Sequence, residues 1–136
     1  MARGIDNHNP GNIDYNPKNK WQGQIGIETG VKNPRFCRFE SPEYGIRALM
    51  KLLRNYQRDY GLKTITGIIS RWAPDNENNT GAYINGVANE MNVVPHQLIS
   101  TFDKPTLIAL AKSIILHENG KQPYSDDVFT RAFEML

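Results

Sequence analysis

The feature that most limits how this chain can fold is an apolar stripe near its C-terminal end. Leu107, Leu110, Ala111, Ile114 and Glu118 recur at three- and four-residue steps, with Ile108 and Ile115 beside them. The spacing predicts a helix with one strongly buried face, and that face ends on a carboxylate. At such a position desolvation and the negative end of the helix dipole both favour the neutral acid, which is the condition of a general acid. Asn119-Gly120 supplies a C-cap that tolerates the left-handed region, so the helix should stop abruptly and leave the Glu118 carboxyl at the lip of a cleft. Tyr124 lies just beyond, able to present a ring or a hydroxyl there.

A chain of 136 residues suffices for one domain, residues 1–136, with a substantial core. Its formal charge of +2 and pI near 8.7 are mildly basic and fall short of a nucleic-acid footprint. Cys37 is the single cysteine, so neither an internal disulfide nor a cysteine-rich zinc site can form. His8, His96 and His117 are too scattered for a metal set. No Walker loop, dinucleotide fingerprint or nucleophile elbow occurs, so no metal or cofactor is implied. The opening Met1-Ala2-Arg3-Gly4-Ile5-Asp6 lacks the apolar run of a signal peptide, and no later stretch could span a bilayer. The expectation is a soluble protein made in the cytosol, carried by something else if it acts outside.

Helical patterns dominate. Asp6 to Asn12 is turn chemistry, either an ordered loop or a loose end. Gln24–Ile27 and Phe36–Phe39, separated by Gly30 and Asn33-Pro34, predict a small hairpin. Ser41-Pro42-Glu43 reads as an N-cap, a first-turn proline and an early acid, followed by Ile46, Leu49, Leu53, Tyr56 and Tyr60 on one face. Thr64 caps the next helix, whose stripe of Ile65, Ile68, Ile69 and Trp72 stops at Pro74. A further helix carries Tyr83, Ile84, Val87, Ala88 and Met91, and Val94 to Ile99 reads as a shorter one. The glutamate helix opens near Asp103, and a last helix after Ser125 buries Val128, Phe129, Ala132 and Phe133. The fold class is α+β, with a small sheet at the edge of a helical domain.

Several residues admit two readings. Asn9 and Asn12 suit tight turns, and their amides also match sugar hydroxyls and acetamido groups. Tyr15, Trp21, Trp72 and Tyr83 could stack on sugar rings, whereas aromatics at helical spacing usually fill a core. Glu43 reads as a helix N-terminal acid or, since its loop follows the hairpin, as a second catalytic carboxyl.

The strings Arg3-Gly4-Ile5-Asp6-Asn7-His8-Asn9-Pro10-Gly11-Asn12-Ile13, Trp21-Gln22-Gly23, Phe39 to Leu49 and Arg71-Trp72-Ala73-Pro74 resemble a family of phage and prophage proteins, virion structural or lysozyme-like. The resemblance covers nearly the whole chain and names no reaction. A looser resemblance is to lysozyme-like peptidoglycan hydrolases: soluble lytic transglycosylases, goose-type lysozymes and flagellar-type glucosaminidases. There a helix ends in the catalytic Glu followed by a small or polar residue and often Gly, as in Glu118-Asn119-Gly120. The elements that follow in those enzymes resemble Asn9–Asn12, Trp21 to Phe39 and Ser41 to Tyr60, so the order here is rotated, as a circular permutation would give.

That resemblance implies a lysozyme-like domain cleaving the MurNAc-GlcNAc linkage of peptidoglycan glycan strands, with Glu118 protonating the leaving oxygen. It further implies synthesis in the host cytoplasm, association with the virion or delivery to the cell wall, and other virion proteins as partners. Glu28, Glu43 or Asp75 would be a second carboxylate, and its distance from Glu118 would decide between retention and inversion. With none, the substrate's own hydroxyl would attack, as in lytic transglycosylases. Asn9, Asn12, Trp21, Asp75, Tyr83 and Tyr124 are the candidate substrate contacts. The rival reading is a non-catalytic virion structural or glycan-binding module on the same fold. A nucleic-acid-binding phage protein would need Lys and Arg gathered on one face. If the rotated order holds, the end of the glutamate helix must face the Asn9–Asn12 loop and the hairpin across one groove.

Overall fold

The helix that starts behind Ser41-Pro42 is apolar on two sides, and this divides the molecule. The computed structural model describes residues 2–136, so Met1 of the opening stretch lies outside the described residues. The elements run α1 (Arg3–Asp6), β1 (Gln24–Ile27), β2 (Cys37–Phe39), α2 (Pro42–Tyr60), α3 (Ile65–Trp72), α4 (Thr80–Met91), α5 (Lys104–Asn119) and α6 (Asp126–Glu134). The fold is α+β, mostly helical with one antiparallel hairpin.

One side of α2 turns Ile46, Leu49 and Leu53 into the larger core. They meet Ile65, Ile68 and Ile69 of α3, Val87 of α4, Leu107, Leu110 and Ile114 of α5 and Phe129 of α6, all sealed from solvent. Each such side chain contributes about 2 kcal/mol by leaving water, so this cluster supplies most of the driving force for folding. α5 packs against α1, α2, α4 and α6, and α2 against α3, α5 and α6. The other side of α2 presents Ala48 and Leu52 to a smaller core of Ile13, Cys37 and Phe39, with Trp21 and Tyr44 against it. Trp72 touches both cores and joins them. Tyr60, expected on the buried stripe, is 57% exposed and lies under the Arg71 guanidinium, 3.7 Å from its ring centroid.

The helix starts follow local chemistry. Thr64, Asn79 and Asp103 accept hydrogen bonds from the amides of Gly67, Ala82 and Thr106 at 3.0, 3.1 and 3.2 Å. Ser41 and Ser125 occupy their N-cap positions without a side-chain bond to the amides of the first turn. Val94 to Ile99 is not the short helix expected. Its backbone bonds sideways instead, the Pro95 carbonyl accepting from Thr66 N at 3.1 Å and Ile99 N donating to the Lys63 carbonyl at 2.8 Å.

The N-terminal segment is ordered by the same kind of pairing. After the single turn of α1, which the turn-rich sequence did not reveal, it runs alongside β2. Phe39 N donates to Asn7 O, Cys37 N to Ile13 O and Tyr15 N to Arg35 O, each at 2.9 Å. The hairpin thus has an irregular third lane, closed by an isolated antiparallel bridge between Asp14 and Phe36.

Candidate active site

The last turn of α5 ends against this N-terminal lane. Gly120, at φ 74°, terminates the helix. Asn119 donates from Nδ2 to the Ile115 carbonyl at 2.9 Å and to the Pro10 carbonyl at 2.8 Å, fastening the helix end to the loop. One residue earlier stands Glu118, half-buried. Its Oε1 accepts from Asn12 Nδ2 at 3.1 Å and its Oε2 from the Tyr83 hydroxyl at 2.9 Å. The carboxyl is therefore not desolvated within an apolar face. The stripe seals through Ile115, and the next turn emerges at a cleft.

That cleft has a volume of about 320 Å³ and lies between the two cores. Gly11, Asn12, Ile13 and Asp14 line one wall with Arg35 and Phe36, while Leu52, Tyr56, Trp72, Glu77, Asn78 and Glu118 line the rest. The end of the glutamate helix, the N-terminal loop and the residues entering β2 share one groove.

Of the residues singled out in the sequence, Glu118 and Asn12 line this cleft and Tyr83 reaches it through its hydroxyl. Tyr83 is 8% exposed, and its hydroxyl is committed to Glu118, so it supports the carboxylate and offers no ring to a sugar. Burial first, then the neighbouring Glu118, push its phenol far above the ordinary range.

The other candidates lie elsewhere. Asn9 is fully buried, with Nδ2 donating to the carbonyls of Ile13 and Cys37 and Oδ1 accepting from Ile13 N, all at 3.0 Å. Buried and held at both its polar atoms, that amide is closed to a ligand. Trp21 packs on the smaller core. Asp75 is exposed on the α3–α4 loop, off the cleft wall that Glu77 and Asn78 form. Tyr124 packs edge-on to Phe129 at 6.4 Å, its hydroxyl buried without a hydrogen-bond partner among the described residues, and burial pushes that phenol up to about 12.

Two of the proposed second carboxylates are likewise misplaced. Glu43 accepts from Arg131 Nε and Nη2 at 3.1 and 2.9 Å on another face, and that guanidinium holds its carboxyl below the usual range. Glu28 is 1% exposed and accepts from Arg3, from Asn7 Nδ2 at 2.9 Å and from Arg35 N at 2.9 Å. It ties α1 to the hairpin. The Arg3 bond outweighs burial and holds this carboxyl at about 2, against an ordinary 4.5. Since the folded value lies below the unfolded one, the stabilisation is present above pH 4.5 and fades as pH falls toward 2. Urea midpoints should fall across that window and fall less steeply in Glu28→Gln, and equal acid sensitivity in the two proteins would refute the assignment.

Sequence reasoning missed the cleft's second charged group. Arg35 Nε donates to Asp14 Oδ1 at 2.6 Å, and Arg35 Nη2 lies 3.5 Å from Glu77 Oε1. These residues come from three segments, and no local pattern links them. Tyr56 and Trp72 sit on the predicted stripes, but each also lines the cleft. Among the described residues no three His, Cys, Asp or Glu side chains gather as a metal ion would require.

Fold and site together define a small α+β domain with a carboxyl at the wall of a polar and aromatic cleft. No protein-family model matches the chain. It is 39% identical over 135 residues to Protein P5 of Pseudoalteromonas phage PM2, an alignment spanning 98% of this chain and 81% of the phage protein. The chain belongs to the family of that phage protein. Among the described residues no helix is long and apolar enough to cross a membrane.

Proposed function

We propose that this phage-type domain takes a peptidoglycan glycan strand into the Glu118 cleft and cleaves the MurNAc-GlcNAc linkage there. The observation that carries the reading is the position of the Glu118 carboxyl on the cleft wall, among two amides, Asn12 and Asn78, and two aromatic side chains, Tyr56 and Trp72. The Asn78 amide, on the exposed side, matches sugar hydroxyls and acetamido groups, Asn12 holds the carboxyl in place, and the aromatic carbon of Tyr56 and Trp72 on the wall suits the apolar side of a pyranose ring. Three carboxyl groups against one guanidinium make the cleft unsuited to a phosphate polymer, which argues against nucleic acid as the ligand. Glu118 protonates the departing glycosidic oxygen as the bond to the muramyl C1 breaks. The substrate's own C6 hydroxyl then closes on C1 and passes its proton to the Glu118 carboxylate, which restores the acid and leaves a 1,6-anhydro end. That the relative is a phage protein fits action from a virion; the cell wall as target and other particle proteins as partners follow from the glycan reading itself.

Mass spectrometry of fragments released from purified sacculi tests this. 1,6-Anhydro-MurNAc ends are expected. Reducing ends would instead require a carboxylate that activates water, for which Asp14 and Glu77 are the cleft residues. Absence of any new end would overturn the reading.

One observation favours a second reading, a glycan-binding module of the phage particle that does not cut. Both Glu118 oxygens already accept hydrogen bonds, and Asp14 and Glu77 both engage Arg35. Such a module would retain sacculus binding without producing new ends.

A further inference from the structure

Behind Tyr83 the helices α4 and α5 make a contact that burial alone does not explain. Tyr83, Gly86 and Glu90 recur at three- and four-residue steps along α4, and Ser113 and His117 lie four apart on α5. The His117 ring stacks on Tyr83 with centroids 4.9 Å apart and planes 21° apart. His117 Nε2 is 3.0 Å from Glu90 Oε1, which also accepts from the Ser113 hydroxyl. A carboxylate oxygen only accepts, so Nε2 carries the proton. The ring sits directly over Gly86, where an added β-carbon would overlap Cε1 and come within 2.8 Å of Nε2.

Glycine inside a helix is destabilising relative to alanine, so its presence here calls for a reason. The His117 and Glu90 side chains are 27% and 34% exposed, and an ion pair so placed contributes little to stability. What the arrangement does fix is the plane of a ring that backs Tyr83, whose hydroxyl holds Glu118. We propose that His117, anchored by Glu90 and seated on Gly86, is a positioning residue that keeps the Tyr83 hydroxyl on the Glu118 carboxylate. Its catalytic consequence rests on the cleavage reading above, whereas its geometric consequence does not.

Two readouts on the full chain separate these. The first is the Tyr83 hydroxyl proton in the NMR spectrum, protected from exchange by its bond to Glu118. The second is kcat and KM on soluble glycan fragments. His117→Ala and Gly86→Ala should each lose the hydroxyl resonance and lower kcat by about tenfold or more, since small misplacements of a catalytic group are costly. KM should stay within about twofold, because no substrate contact is removed. His117→Phe keeps a stacked ring and should recover the resonance and most of kcat. Should His117→Ala fail to fold, Gly86→Ala, on the opposite helix, carries the same test.

Retention of the resonance in both alanine variants would overturn the proposal. So would a rise in KM at constant kcat, or a failure of His117→Phe to rescue, which would assign the imidazole another role. If the wild type cleaves nothing, the cleavage reading fails alone, and the hydroxyl resonance still decides the positioning role.

Discussion

Glutamine at position 118 is expected to lower sacculus cleavage by at least about 100-fold, the usual worth of a positioned general acid. The substitution is close to isosteric, and the site can absorb it. The amide oxygen would accept from Asn12 Nδ2 as Oε1 does now. The amide nitrogen would face Tyr83, whose hydroxyl accepts as readily as it donates. Fold and cleft should thus survive while the transferable proton is lost. Cleavage followed by release of muropeptide ends, with calorimetric binding of a chitin-type oligosaccharide beside it, makes the distinction. Loss of cutting with binding intact supports Glu118 as the acid, and wild-type cutting by the variant would remove it from the mechanism. If neither protein cuts and both bind equally, the binding-module reading takes its place.

How far the sequence disclosed this site depends on whether each signal is local. Glu118 was legible because an apolar stripe ending on a carboxylate and then Asn-Gly is a pattern within one helix. Its two hydrogen-bond partners were not. Asn12 lies 106 residues away and Tyr83 35, and nothing in a single sequence links positions across such separations. The same limit hid Asp14, Arg35 and Glu77, which only the fold brings together. It also misassigned Asn9, since a buried amide holding a loop and an exposed amide holding a sugar have the same composition.

The elements show a parallel division. Long helices and the Gln24–Ile27 strand followed their patterns, because periodic burial and caps decide them. Val94 to Ile99 failed because tertiary bonds to Lys63 and Thr66 outweighed a weak local preference. The four residues of α1 are too few for any period to register.

Gly45→Ala should be among the most destabilising single substitutions in the chain, at about 3 kcal/mol, the upper range for overpacking. Gly45 is buried in the first turn of α2. A β-carbon there would overlap the His8 carbonyl oxygen and lie 3.2 Å from Asn9 Cα. Both obstacles are backbone, so no side-chain rotation relieves them. The loop that would have to move is itself held by the Asn9 amide, by the bond from Phe39 N to Asn7 O and by the fastening of Asn119 to Pro10. Separating it from α2 would break that set together and withdraw Asn12 from Glu118. Gly81→Ala is the control, since a β-carbon there meets only Asn79 Oδ1 at 3.9 Å and should be neutral or mildly stabilising. Urea unfolding of the three proteins gives the comparison. A Gly45→Ala midpoint equal to the wild type's would mean that the N-terminal loop does not rest on α2, and the cleft wall built from Gly11 to Asp14 would go with it. With the expected loss, cleavage by the folded fraction should fall as well, because the loop that stabilises the domain also carries the donor that orients its carboxylate.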